Sequence, residues 1–182
     1  MQKSKIHYLN LILYFTLSIT ILIGFYFGED SSGSGGFVAD FYSTWPLVDI
    51  INQGEYYDFS KYTIHFPLHY YILYCLSLIT DNQNLVRLIF SLISLIVPYL
   101  FFLILREKFS KIDINKLFFF SLLIFLLPSF RSGAIWANAQ ITGLIFFMIS
   151  TIYYLRWINI KQNYFNKEIF LQCFFLSLAV YS

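Results

Sequence analysis

The chain is 182 residues long, with 58% apolar, 22% aromatic and only 12% charged residues. A soluble domain carries about a quarter charged residues, so this composition, with a mean hydropathy of +0.65, excludes a disordered chain, a nucleic-acid-binding arm and an ordinary water-soluble enzyme. A formal charge of +2 is too small to imply a polyanionic partner.

In chain order, residues 7–27 come first and contain no Lys, Arg, Asp or Glu. As a helix they cover roughly 30 Å, enough to cross a bilayer. Lys3 and Lys5 precede the run. A cleaved signal peptide also begins basic and then turns apolar. This run is long, however, and no A-x-A pattern follows Phe27, so it reads as an uncleaved first span.

Residues 28–65 form a polar loop holding six of the ten acidic residues. Its start, from Gly28 to Gly36, is rich in Gly and Ser and reads as a flexible lead-out. It lacks the Gly-Lys-Ser/Thr ending of a phosphate-binding loop. Phe41, Trp45, Val48 and Ile51 then recur at helical spacing. They predict an amphipathic helix on the membrane surface, with Tyr42 and Trp45 at headgroup level. Asp40 either caps this helix or sets a carboxylate where a lipid-linked headgroup meets water.

Residues 66–80 are apolar but short, which suits a re-entrant or interfacial helix; Pro67 fits its first turn. His65 and His69 have i, i+4 spacing, yet no Glu lies between them and no third ligand is evident, so they make an incomplete metal set. Further apolar runs cover 85–105, broken only by Arg87 near its start, then 117–130, 132–155 and 169–182. The last run continues to Ser182, which predicts that 1–182 is one transmembrane module from the N-terminal part of a longer protein. Cys75 and Cys173 lie far apart in apolar runs and read as small buried hydrophobes, not a disulfide.

The count of Lys and Arg sets the topology, because these residues collect on the cytoplasmic side. With the N-terminus inside and every run crossing, eight lie outside and four inside. If 66–80 dips in without crossing, nine lie inside and only Lys61, Arg87 and Arg131 lie outside. The second arrangement is preferred. It puts the 28–65 loop and the turn around 130–140 on the outer face. Trp136 there suits an aromatic belt, with Asn138 and Gln140 beside it. Arg131 is unusual on that side, and an anionic partner such as a lipid phosphate would explain it.

Four pieces in this order, Gly28-Glu-Asp-Ser-Ser-Gly33, Ala39-Asp-Phe-Tyr42, Ile64-His-Phe-Pro-Leu68 and Phe130-Arg-Ser-Gly-Ala-Ile-Trp-Ala-Asn138, resemble the polytopic GT-C glycosyltransferases, especially their RgtA/B/C/D-like and ArnT-like bacterial members. The resemblance implies an all-α polytopic helical bundle in the bacterial inner membrane, multi-pass, with a cytoplasmic N-terminus. It also implies transfer of a sugar from a polyprenyl-phosphate donor to a glycan, lipid or protein acceptor at the outer face. The family's catalytic carboxylate lies in the first outer loop, so that role falls on Asp40, with Asp30 and Glu29 as alternatives. Arg131, Lys61, His65, Tyr42, Trp136 and Asn138 are the expected contacts to substrate or lipid phosphate. A divalent cation, Mg or Mn, is a possible cofactor. The entry at Phe66-Pro67-Leu68 carries one Pro where the family pattern has two. Two other classes stay open: a transporter segment, which would place ionisable residues inside the bilayer, and a non-catalytic subunit or remnant.

Overall fold

The computed structural model describes residues 2–31, 36–54, 68–159 and 166–182, with side chains from Tyr8 onward. Every regular element among the described residues is helical. The helices are α1 (Gln2–Phe27), α2 (Gly36–Asn52), α3 (Leu68–Ser77), α4 (Gln83–Ser94), α5 (Ile96–Lys108), α6 (Ile114–Leu122), α7 (Pro128–Ile135), α8 (Ala139–Asn159) and α9 (Lys167–Val180). A 3₁₀ turn, Leu123–Leu126, extends α6.

Three segments are long and apolar enough to cross a membrane: Tyr8–Phe27, Gln83–Lys108 and Ala139–Asn159. A fourth is possible if Ile114–Leu126 and Pro128–Ile135, bent by 69°, count as one broken span. Many of their large side chains, such as Ile12, Phe15, Ile19 and Phe147, face outward, as they would toward lipid. At ten residues, α3 covers only about 15 Å and cannot cross.

Several boundaries depart from the sequence reading, each for a local reason. The 85–105 run is interrupted at Leu95. Pro98 has no N–H for the Ser94 carbonyl, so the hydrogen-bond ladder lapses there. The Leu95 carbonyl instead accepts from the Tyr14 hydroxyl at 3.0 Å, which ties α4–α5 to α1. Residues 132–135 do not begin the next span. They finish α7, which starts at Pro128, a residue suited to a first helical turn. Ala137 then adopts φ +48°, which no helix continues through, and Asn138 starts α8. The described start of the lead-out, residues 28–31, is hydrogen-bonded to the fold. Gly28, at φ +67°, ends α1 while the Glu29 N–H donates to the Gly24 carbonyl at 2.8 Å, and the Ser31 N–H donates to Ser132 Oγ at 2.8 Å.

The spacing in α2 is realised differently from a surface helix. Phe41, Trp45, Val48 and Ile51 are all buried, but against the protein. Phe41, Trp45 and Val48 join a core that also holds Ile21, Leu73, Phe90, Phe125 and Trp136. Ile51 and Leu47 pack on Tyr70 of α3. Periodicity shows that a stripe must be covered and does not say whether protein or lipid covers it. Tyr42 lies off this stripe and is exposed; Trp45 is buried. Cys75 and Cys173 are free, as expected, yet both are exposed on the outside of the bundle.

At the far side, α9 packs chiefly on α8. Tyr153 and Phe175 stack at 5.8 Å, and Ser150 Oγ donates to the Gln172 carbonyl at 2.9 Å. None of the residues of α9 is buried.

Candidate functional site

The end of α1, the start of α2, the start of α4 and the α7–α8 turn meet at one end of the bundle. Residues 136–138 are the centre of that meeting. Asn138 caps α8: its Oδ1 accepts from the Gln140 N–H at 2.9 Å, and its carbonyl accepts from the Ile141 N–H at 3.0 Å. The remaining amide Nδ2 donates to Asp40 Oδ2 at 3.3 Å. A capping residue with a fixed rotamer therefore orients the exposed carboxylate of Asp40.

Asp40 is not the cap of α2. Asp30 does that work, its Oδ2 accepting from the Val38 N–H at 3.0 Å in the first turn. Of the two readings of Asp40, the capping one is thereby removed. Asp30, one of the alternatives for the catalytic acid, is engaged in structure.

Glu29, the other alternative, is engaged more fully. Arg131 donates to it twice, Nε to Oε1 at 2.7 Å and Nη2 to Oε2 at 2.6 Å. The same guanidinium donates from Nη1 to Thr20 Oγ1 at 2.8 Å and from Nη2 to the Thr20 carbonyl at 3.1 Å. The Glu29 carbonyl accepts from Trp136 Nε1 at 3.0 Å. Gly24 makes room for this nest, because a Cβ there would collide with the Glu29 carboxylate. Arg131 had been expected on an anionic ligand. In the structure, Glu29 and Thr20 take its donors, and the pair fastens the end of α1 to α7. A two-point arginine–carboxylate contact is a strong fastener, and nothing in the run of residues announces that Glu29, 102 positions away, is its partner.

Arg87 is handled in the opposite way. It lies in the second turn of α4 and is 5% exposed. Nε donates to the Ile135 carbonyl at 3.2 Å and Nη1 to Asn84 Oδ1 at 3.1 Å. The guanidinium lies over Trp136 at 3.5 Å from the ring centroid, with Phe25 at 4.9 Å and Phe41 at 5.5 Å. Such cation–π contacts contribute about 2 kcal/mol when desolvated. Among the described residues, no carboxylate pairs with it and Nη2 has no hydrogen-bond partner. The sequence signal was present: Arg87 is the one charged residue within 85–105.

Tyr42 is exposed with its ring 6.3 Å from that of Trp136. Below the turn, His69 of α3 is buried, with Nδ1 2.9 Å from Thr142 Oγ1 of α8. Burial pulls its imidazole down from 6.5 to about 4, against a hydrogen bond donated by the ring to the Ala137 backbone carbonyl, which acts the other way. His69 is therefore neutral at pH 7 and locks α3 under the turn. Its expected metal partner, His65, lies outside the described residues, as does Lys61. Among the described residues, no three His, Cys, Asp or Glu side chains gather in a metal-holding set, so no chemical step is routed through a divalent cation here. A cavity of about 540 Å³ lies away from this end, between α5, α6 and α8, lined only by apolar side chains such as Phe101, Phe120 and Met148.

The structure thus brings together Glu29, Asp30, Asp40, Tyr42, Arg131, Trp136 and Asn138 from the residues singled out in sequence, and adds Arg87. No protein-family model, characterised protein or solved structure matches the chain.

Proposed function

We propose that the chain carries part of the site of a GT-C-type membrane glycosyltransferase, which moves a sugar from a polyprenyl-phosphate donor to a glycan, lipid or protein hydroxyl at the outer face of a bacterial inner membrane. The observation that supports this reading is the exposed Asp40 carboxylate held by the Asn138 amide at 3.3 Å, with the exposed Tyr42 on the same end of the bundle. In the reaction, Asp40 accepts the proton of the acceptor hydroxyl as its oxygen bonds to the anomeric carbon. The bond from that carbon to the phosphate oxygen breaks, and its electron pair leaves with the lipid phosphate. The leaving group is good enough that no covalent enzyme intermediate is needed. Asn138 is a positioning residue in this scheme, since it touches Asp40 and not the reacting atoms.

The test is transfer of labelled sugar from a polyprenyl-phosphate donor in membranes carrying the protein. Asp40→Asn should lower turnover by about 10²-fold or more while donor binding persists. Full transfer by Asp40→Asn would remove Asp40 from the role. A transporter segment is favoured by one specific observation, the buried charge of Arg87. Solute flux into vesicles that Arg87→Gln abolishes, without any sugar transfer, would replace the first reading with this one.

A further inference from the structure

Arg87 combines three features that do not ordinarily coexist. It is nine-tenths buried, it has no counter-ion among the described residues, and one of its terminal nitrogens is unbonded. A buried guanidinium is costly unless it is paired and its donors are satisfied. Among the described residues, Glu29, Asp30 and Asp40 at the same end are bonded to other partners. Glu29 is held by Arg131, Asp30 caps α2, and Asp40 is held by Asn138. Three aromatic faces offset part of the charge, but a ring face accepts no strong hydrogen bond from Nη2.

The nitrogens already engaged fix the direction of the free one. Nε on the Ile135 carbonyl and Nη1 on Asn84 clamp the guanidinium plane against Trp136. Nη2 is left as a positioned donor on a rigid helix, beside the buried ring of Trp136, which the exposed Tyr42 neighbours. A guanidinium edge matches an oxyanion, with two N–H groups reaching two oxygens.

We infer that Arg87 is the receptor for a phosphate-class oxyanion, clamped by Asn84 and Trp136 so that its Nη2 edge closes on the anion. The inference does not rest on sugar transfer: it would stand for a chain that binds the anion and moves no sugar. A phosphate can reach this place as a lipid headgroup or free in solution, and the experiment separates the two. Because Nη2 is covered, an incoming anion must shift the groups packed around the guanidinium. Trp136, stacked on the guanidinium, therefore reports the event.

The chain, in nanodiscs of neutral lipid, is titrated with dodecyl phosphate, with inorganic phosphate and with dodecyl maltoside while tryptophan fluorescence is followed. Dodecyl phosphate should give a saturable change that salt weakens, and dodecyl maltoside should give none. Saturation by inorganic phosphate over the same concentrations assigns the site to the free anion; response to dodecyl phosphate alone assigns it to a lipid headgroup. Arg87→Gln should weaken binding at least tenfold, and Arg156→Gln, at the opposite end of the bundle, should leave it within twofold. If circular dichroism shows that Arg87→Gln does not fold, Arg87→Lys serves, since it keeps the charge but loses the fork and should bind several-fold more weakly. A wild-type chain with no saturable response, or a folded Arg87 variant that binds as tightly as wild type, overturns the proposal. Sugar transfer that fails while phosphate binding persists would count against the glycosyltransferase reading alone.

Discussion

The two ends of this bundle use the same chemical parts for different ends. At the end around residues 107–116, the polar groups of the described residues cap a helix, tie α1 to the start of α6 and make one part-exposed ion pair. Asp113 caps α6, its Oδ1 accepting from the Asn115 N–H at 2.9 Å, and Asn10 donates to the Asn115 carbonyl at 2.9 Å. Glu107 and Arg156 make one ion pair at 3.1 Å with both side chains partly in solvent. At the end around residues 136–138, polar groups join segments about a hundred positions apart, through Glu29–Arg131, Asp40–Asn138 and Ser31–Ser132. That end also keeps a buried arginine with no counter-charge among the described residues. A helical bundle needs caps and ion pairs at both ends; it does not need an unbalanced guanidinium or an exposed carboxylate oriented by a cap.

The comparison breaks most readily at Arg131. If the site end is stitched together by long-range charge pairs, Arg131→Met should destabilise the chain by about 2 kcal/mol, because Glu29 then keeps a part-buried carboxylate without its donors. Thermal melting in mild detergent would show the loss. Adding Glu29→Gln should restore part of it, since the double variant leaves no unpaired charge, and a simple sum of the two losses would refute the coupling.

A second effect, of intermediate size, depends on pH. The His69 imidazole is held near 4 by burial, below its usual 6.5. The fold therefore favours the neutral ring. This contribution is fully present above 6.5 and is lost as pH falls through 6.5 toward 4, where the unfolded chain binds a proton that the folded chain resists. Melting temperature should drop over that window, and His69→Gln should flatten the drop. An unchanged pH profile in His69→Gln would mean that the ring is not confined as the contacts with Thr142 and Ala137 indicate.

What sequence made legible follows from what is local. Runs without charge gave Tyr8–Phe27 and Ala139–Asn159, and helical spacing gave the buried stripe of α2. Pro128 marked a break because its missing N–H acts within one turn. The partners of Asp40 and Arg131 were not legible, because a hydrogen bond across about a hundred residues leaves no periodic trace. The same limit hid the partner of Arg131: a lone arginine in an outer turn reads as a free cation until Glu29 is seen on it. Arg87 was visible as a charge in an apolar run, but that it was unpaired could be known only once its surroundings were closed.

The smallest expected effect lies at the opposite end and sharpens the contrast. Arg156 is 40% exposed and Glu107 22% exposed, so water and salt already screen their attraction. Breaking the pair with Glu107→Gln should cost no more than about 0.5 kcal/mol, and less in high salt. The measurement is the same melting assay at low and high ionic strength. A loss equal to that of Arg131→Met would mean that position along the bundle, and not the degree of burial and the number of donors engaged, sets the worth of an ion pair here. The small loss expected instead follows from geometry. One nitrogen of Arg156 reaches Glu107, whereas all three guanidinium nitrogens of Arg131 are engaged.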